Sequence, residues 1–187
     1  MRYKPVHLVL IASALALAYM TRFDPADSAQ RAVKAPEFTH SEPQEWINSP
    51  PLKLSALAGQ VVLLDVWTFD CWNCYRSFPW LRSVEKKYSR QPLTVVGVHT
   101  PEFAHERVRA SIVAKAKQYM LDHAIMIDND YSYWRALGNR YWPAFYLIDK
   151  QGRIRGRYVG ETHIGDQRAM EIEALISELL AEDLPNS

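Results

Sequence analysis

Hydrophobic positions fall along the chain in runs of two kinds. Val61-Val62-Leu63-Leu64-Asp65-Val66-Trp67 is apolar and rich in β-branched residues apart from one carboxylate, which predicts a strand buried on both faces. Ser77, Leu81, Val84 and Tyr88 then recur at helical spacing, predicting a helix over about 71–89 with a kink at Pro79. Leu93–His99 reads as the next strand. Thr100-Pro101 carries a helix-start signal, and Val108, Ile112, Ala116 and Tyr119 keep the period to about Leu121. A short strand at Ile125–Ile127 and a short helix at Ser132–Leu137 follow. Ala144–Ile148 and Ile154–Val159, joined by a turn at Lys150-Gln151-Gly152, predict a hairpin, and Ile172, Leu175, Ile176 and Leu179 mark a closing amphipathic helix. Strands alternating with helices predict an α/β fold: a central mixed sheet, parallel at its core with an antiparallel hairpin, flanked by helices.

The N-terminal part follows a different pattern. Arg2, Lys4 and His7 precede an apolar run from Leu8 to Met20, short of the ~20 residues of a spanning helix and matched to a secretory core. Residues 1–20 are expected to be a signal peptide or, if uncut, an N-terminal membrane anchor tethering through residues 8–20. Ala16-Leu17-Ala18 and Ala26-Asp27-Ser28 both offer small-x-small cleavage sites, so processing stays open. Residues 21–45, with Pro25, Pro36 and Pro43 and little periodicity, read as a proline-containing linker. Residues 46–187 read as the domain, with Trp46 and Ile47 its first contacts.

Composition narrows the function. Lys+Arg 22 against Asp+Glu 21 gives a net charge of +1, so no basic footprint points to nucleic acid. Hydrophobic residues at 48% and charged residues at 23% fit a soluble domain. Seven glycines form no phosphate-cradling cluster, and 2 cysteines make no disulfide scaffold.

Those cysteines, Cys71-Trp72-Asn73-Cys74, stand where the buried strand ends and a helix begins. Unpaired amides and the positive end of the helix favour a thiolate at Cys71. The spacing lets Cys71 attack a target disulfide and Cys74 resolve the mixed disulfide. A structural disulfide closing so short a loop would stabilise little, and a zinc site lacks further ligands. The expected cofactor is none beyond a redox-active Cys71–Cys74 disulfide.

At these residues the chain resembles the thioredoxin-like superfamily. Within it the chain is most similar to exported TlpA/ResA/DsbE-type thiol–disulfide oxidoreductases, above all the thioredoxin-like domain of DipZ-type proteins. The blocks that carry the likeness are Asp65–Cys74, Val96–Phe103, Ile127–Tyr131, Tyr141–Ala144 and Asp149–Ile154, spread over the whole domain in family order. The resemblance implies a thioredoxin-like fold with Cys71 attacking and Cys74 resolving. It implies that Asp65 is a buried carboxylate exchanging a proton with Cys74. Pro143 matches the family's cis-proline, which offers backbone to an extended substrate. Trp142, Trp72 and Asn73 would border that substrate site, whereas Trp67 reads as core.

Asp70, directly before Cys71, opposes the thiolate, and no basic residue lies inside the motif; this leans toward a reducing couple. Expected partners are protein disulfides or dithiols and a separate membrane electron donor or acceptor. The expected location is periplasmic or otherwise extracytoplasmic, where a lone working cysteine pair avoids mispairing. Two rivals remain. Thr68-x-x-Cys71 has a peroxidase nucleophile spacing, but Leu64 stands where that family keeps proline. Copper delivery on the same fold would use both cysteines with His99 or His163. His105 and His123 read as surface.

Overall fold

The computed structural model describes residues 33–183, so the expected leader, 1–20, and residues 21–32 of the expected linker lie outside the described residues. In chain order the elements are β1 (Val33–Lys34), β2 (Trp46–Ile47), β3 (Val61–Trp67), α1 (Trp72–Tyr88), β4 (Leu93–His99) and α2 (Arg109–Gln118). There follow β5 (Ala124–Ile127), α3 (Ser132–Ala136), β6 (Ala144–Ile148), β7 (Arg153–Val159) and α4 (Gln167–Ala181). Among the described residues these build a 7-stranded sheet in the order β1-β7-β6-β3-β4-β5-β2. Strands β3, β4 and β5 run parallel; β6 lies antiparallel to β3, and β7 to β6. This is the mixed α/β sheet expected from the alternation of elements. No helix among the described residues is long and apolar enough to cross a membrane.

Strand β3 is buried at every position, as its unbroken apolar run requires. Alternation along it divides the core. Val61, Leu63 and Trp67 pack with Phe78, Leu81 and Val84 of α1, Ile112 of α2, and Ile172 and Ile176 of α4. Val62, Leu64 and Val66 face the other way, against Phe38, Trp46, Leu54 and Tyr133. With α1, α2 and α4 all contributing to one face, the opposite face needs another cover, and residues 35–57 with α3 supply it. Residues 33–45, expected in the linker, therefore belong to the fold: β1 pairs with β7, and Ala35, Phe38 and His40 are buried.

The helix expected to begin at Thr100-Pro101 begins at Arg109 instead. The Thr100 hydroxyl caps nothing there; it donates to Asp128 Oδ2 at 3.0 Å, and the segment that follows wraps around the carboxylate of Glu106. Tertiary partners have displaced the local cap.

His40 joins the N-terminal cover to the sheet. Its Nε2 lies 3.1 Å from Asp128 Oδ1 and 3.3 Å from Asp130 Oδ1, and its Nδ1 lies 2.9 Å from Glu45 Oε1. The hydrogen bond to Asp128 leads in raising its pKa to about 9, against the opposing effect of burial, with Glu45 adding to the rise. A folded pKa above the unfolded value means stabilisation that is complete below about pH 6.5 and lost as the pH rises through about 9. Urea titrations between pH 6 and 10 are expected to show that decline, and His40→Gln to flatten it; an unchanged slope in the variant would count against the ion pair.

Candidate active site

Strand β3 delivers the chain to a short loop, Thr68–Asp70, after which Cys71 occupies the N-cap of α1. Its Sγ accepts the amide N–H of Cys74 at 3.1 Å, taking the acceptor place that Ser or Asp fills in other helices. Cys71 and Cys74 form a disulfide, with their Cα atoms 5.2 Å apart. The two sulfurs are not equivalent. Cys71 is half-buried, whereas Cys74 is fully buried against the α1 core.

A residue that sequence reasoning missed holds this loop. Glu106 is buried, and its carboxylate accepts from the Thr68 hydroxyl at 2.6 Å and from the amides of Asp70 (3.0 Å), Glu102 (2.6 Å) and Phe103 (2.7 Å). Burial pushes its carboxyl up, but the Thr68 hydroxyl and the amides of Phe103, Asp70 and Glu102 outweigh that and hold it below the usual range. Glu106 thus clamps the approach to Cys71 onto the Pro101–Arg107 segment. An acidic residue beyond a Pro loop is too common for local pattern to single it out.

Asp65 lies on the α1 face of β3, in register with Gly97 of β4 and Phe145 of β6. It is 1% exposed, and its Oδ2 has no hydrogen-bond partner. Burial is the chief cause that lifts its pKa to about 7; His123 pulls it down and Glu85 pushes it up.

Trp142 and Pro143, expected beside the substrate, lie in the loop before β6. The Trp142–Pro143 peptide is cis, and Pro143 is buried. Trp142 donates its indole N–H to the Thr100 carbonyl at 3.0 Å and packs on Trp134, with ring centroids 4.2 Å apart. Both Trp142 and Cys71 pack, partly buried, against the α1 core. Trp72 is 65% exposed and lies near Tyr75; Asn73 is exposed, its carbonyl accepting from the Ser77 hydroxyl. Trp67 is core, as expected. A cleft of about 370 Å³ lies beside Cys71, lined by Phe69, Asp70, Trp72, Tyr75 and Tyr119. Tyr75 carried no sequence signal, and Tyr119 was expected only as a position of helical period.

The histidines divide differently from expectation. His105 is exposed, and its Nε2 lies 2.6 Å from Asp70 Oδ2. His123, expected at the surface, is buried and pairs with Glu85 at 3.0 Å. His99 is buried among Thr68, Trp67 and Phe69, and burial holds it neutral, with a pKa of about 4. His163 pairs with Glu161. Among the described residues the donors gathered closely enough to ligate one ion are His40, Asp128 and Asp130, and the two cysteines are not in that group. The Thr68 hydroxyl, on which the peroxidase reading leans, is spent on Glu106.

The Redoxin family model matches residues 30–174, nearly the whole of the described sheet and its helices. The chain belongs to the Redoxin family. It is 39% identical over 143 residues to Protein DipZ of Mycobacterium bovis, an alignment covering 75% of this chain and 20% of DipZ. The chain thus spans about a fifth of that relative's length. The thiol-disulfide oxidoreductase YkuV of Bacillus subtilis is 28% identical over 147 residues, covering 79% of this chain and 94% of YkuV. Among solved structures, a thioredoxin-like protein in its oxidised form superposes with a TM-score of 0.68 at 26% identity, over 82% of this chain and 98% of the other. This Redoxin-family chain thus has a thioredoxin-like fold and carries a cysteine pair in a disulfide at the head of α1.

Proposed function

We propose that the protein is an extracytoplasmic reductant of protein disulfides. The Cys71 thiolate attacks one sulfur of a target disulfide; the S–S bond breaks, a target thiolate leaves, and a Cys71–target disulfide forms. Cys74 gives its proton to Asp65 and attacks the Cys71 sulfur. This expels the second target thiolate and closes the Cys71–Cys74 disulfide. The target gains the electron pair that the cysteines lose, and a separate membrane dithiol donor restores them. The cis-Pro143 loop and the exposed Trp72, with Asn73 and Trp142 at its border, hold an extended substrate segment against Cys71. The observation that carries this reading is the pairing of a half-exposed sulfur at a helix N-terminus with a buried sulfur on the face of Asp65.

Two features favour the reducing direction and the location. The carboxylate of Asp70 adjoins Cys71 and destabilises its thiolate, which makes the disulfide harder to reduce and the dithiol the stronger reductant. The apolar segment 8–20 and the restriction of cysteine to the working pair suit an exported, membrane-tethered chain in an oxidising compartment. Equilibration of the full chain with thiol–disulfide buffers is expected to give a potential near or below about −250 mV; a value above about −150 mV would mark an oxidant instead.

A further inference from the structure

We propose that His123 and Glu85 form the path by which the buried carboxyl of Asp65 exchanges its proton with solvent, an inference that rests on the proton-accepting role given to Asp65 above. In each cycle Asp65 receives a proton from Cys74 and must release it before the next, yet it is 1% exposed. The ionisable groups that act on it are His123, ahead of β5, and Glu85 of α1. His123 Nδ1 lies 3.0 Å from Glu85 Oε1, and the Glu85 side chain, 27% exposed, reaches water. The other ring nitrogen, Nε2, is buried with no hydrogen-bond partner, as are Asp65 Oδ2 and Trp67 Nε1.

Two of these unpaired atoms, His123 Nε2 and Trp67 Nε1, lie beside Gly97. Gly97 is in register with Asp65, so the two share a face of the sheet. A Cβ at Gly97 would stand 3.1 Å from His123 Nε2, 3.1 Å from Trp67 Nε1 and 3.0 Å from Ile125 Cγ1. The absence of a side chain at Gly97 lets the imidazole and the Trp67 indole pack closely against β4 beside Asp65. Buried polar atoms are seldom left unpaired, and a cluster of them around a glycine next to a titrating carboxyl has a use if a proton crosses it. The Asp65 proton reaches His123 Nε2 through a bridging water, since the two atoms are not in direct hydrogen-bond contact; the ring releases its Nδ1 proton to Glu85, and Glu85 yields it to solvent; no electrons move. Histidine suits the task because its two nitrogens take and give at once. The Asn48 side-chain amide fixes the backbone at this point by donating to the carbonyl of His123 at 2.9 Å.

The test is a double-mutant cycle on the full chain, read as turnover of a disulfide-bonded protein substrate at pH 7 alongside iodoacetamide alkylation of Cys71. His123→Phe is expected to slow turnover ~10-fold and Glu85→Gln ~3-fold, with Cys71 alkylation unchanged. In an Asp65→Asn background neither is expected to slow it further, because the path then has nothing to carry. Losses that multiply with Asp65→Asn, or a change in alkylation, would show a structural role and overturn the relay, as would variants that turn over normally. Glu85→Gln changes a partly exposed residue and keeps the test informative should His123→Phe fail to fold. A wild-type chain inactive on disulfides would overturn the functional reading and the relay together, whereas an active wild type with unaffected variants would overturn the relay alone.

Discussion

Asp65→Asn is expected to make the protein more stable and less active at the same time. The Asp65 carboxyl keeps its proton to about pH 7 in the fold, whereas an unfolded aspartate loses it near 3.8. Its contribution to stability is therefore complete below about pH 3.8 and is lost as the pH rises through 7, because above that a charge must be held in the core. Asparagine carries no charge, so the variant is expected to gain on the order of 3 kcal/mol at pH 8, the gain shrinking toward zero near pH 4. The same change removes the acceptor for the Cys74 proton and is expected to slow resolution of the mixed disulfide by ~10- to 100-fold near neutral pH. Denaturant titrations at pH 4 and pH 8, run beside a turnover assay, check both. Stability that does not respond to pH, or full activity at pH 7, would remove Asp65 from the mechanism.

Glu106→Ala is expected to move stability in the opposite direction. The carboxylate satisfies the Thr68 hydroxyl and the amides of Asp70, Glu102 and Phe103. Alanine leaves those donors without their acceptor, which costs about 3–5 kcal/mol and lowers the midpoint of thermal unfolding by roughly 10 °C. The loop that delivers Cys71 loses its clamp, so activity is expected to fall even at temperatures where the variant is folded. Calorimetry and a turnover assay at 15 °C separate the two effects. An unchanged melting temperature would show that water replaces the carboxylate without loss.

The contrast between these residues shows what local pattern can and cannot reveal. Asp65 stood out because one carboxylate interrupted a run of seven strand residues that are otherwise apolar. Cys71 and Cys74 stood out because their spacing and their place at a strand–helix junction carry chemistry by themselves. Glu106 and His123 gave no such signal: their partners, Thr68 and Glu85, each lie 38 residues away in sequence and meet them only through the sheet. The segment after β4 misled for a related reason. Thr100-Pro101 has the local form of a helix start, but the buried Asp128 captures the hydroxyl that would have capped it. At the N-terminus the doubly buried strand implied a cover for both faces of the sheet. Residues 33–57 provide part of it with neither helical nor strand periodicity, through single anchors such as Phe38, Trp46 and Leu54. Periodicity thus located the scaffold and cysteine spacing the disulfide, and the polar groups that fasten the cysteine loop to the scaffold emerged only from the tertiary structure.

The central claim is the division of labour between an outer, attacking Cys71 and an inner, resolving Cys74. Trapping measures it directly: Cys74→Ser and Cys71→Ser chains are each mixed with a disulfide-bonded protein and run on non-reducing gels. The account expects Cys74→Ser to accumulate a covalent adduct through Cys71 that dithiothreitol releases, and Cys71→Ser to form none. An adduct that forms through Cys74 in the Cys71→Ser chain, or none in either, would contradict it.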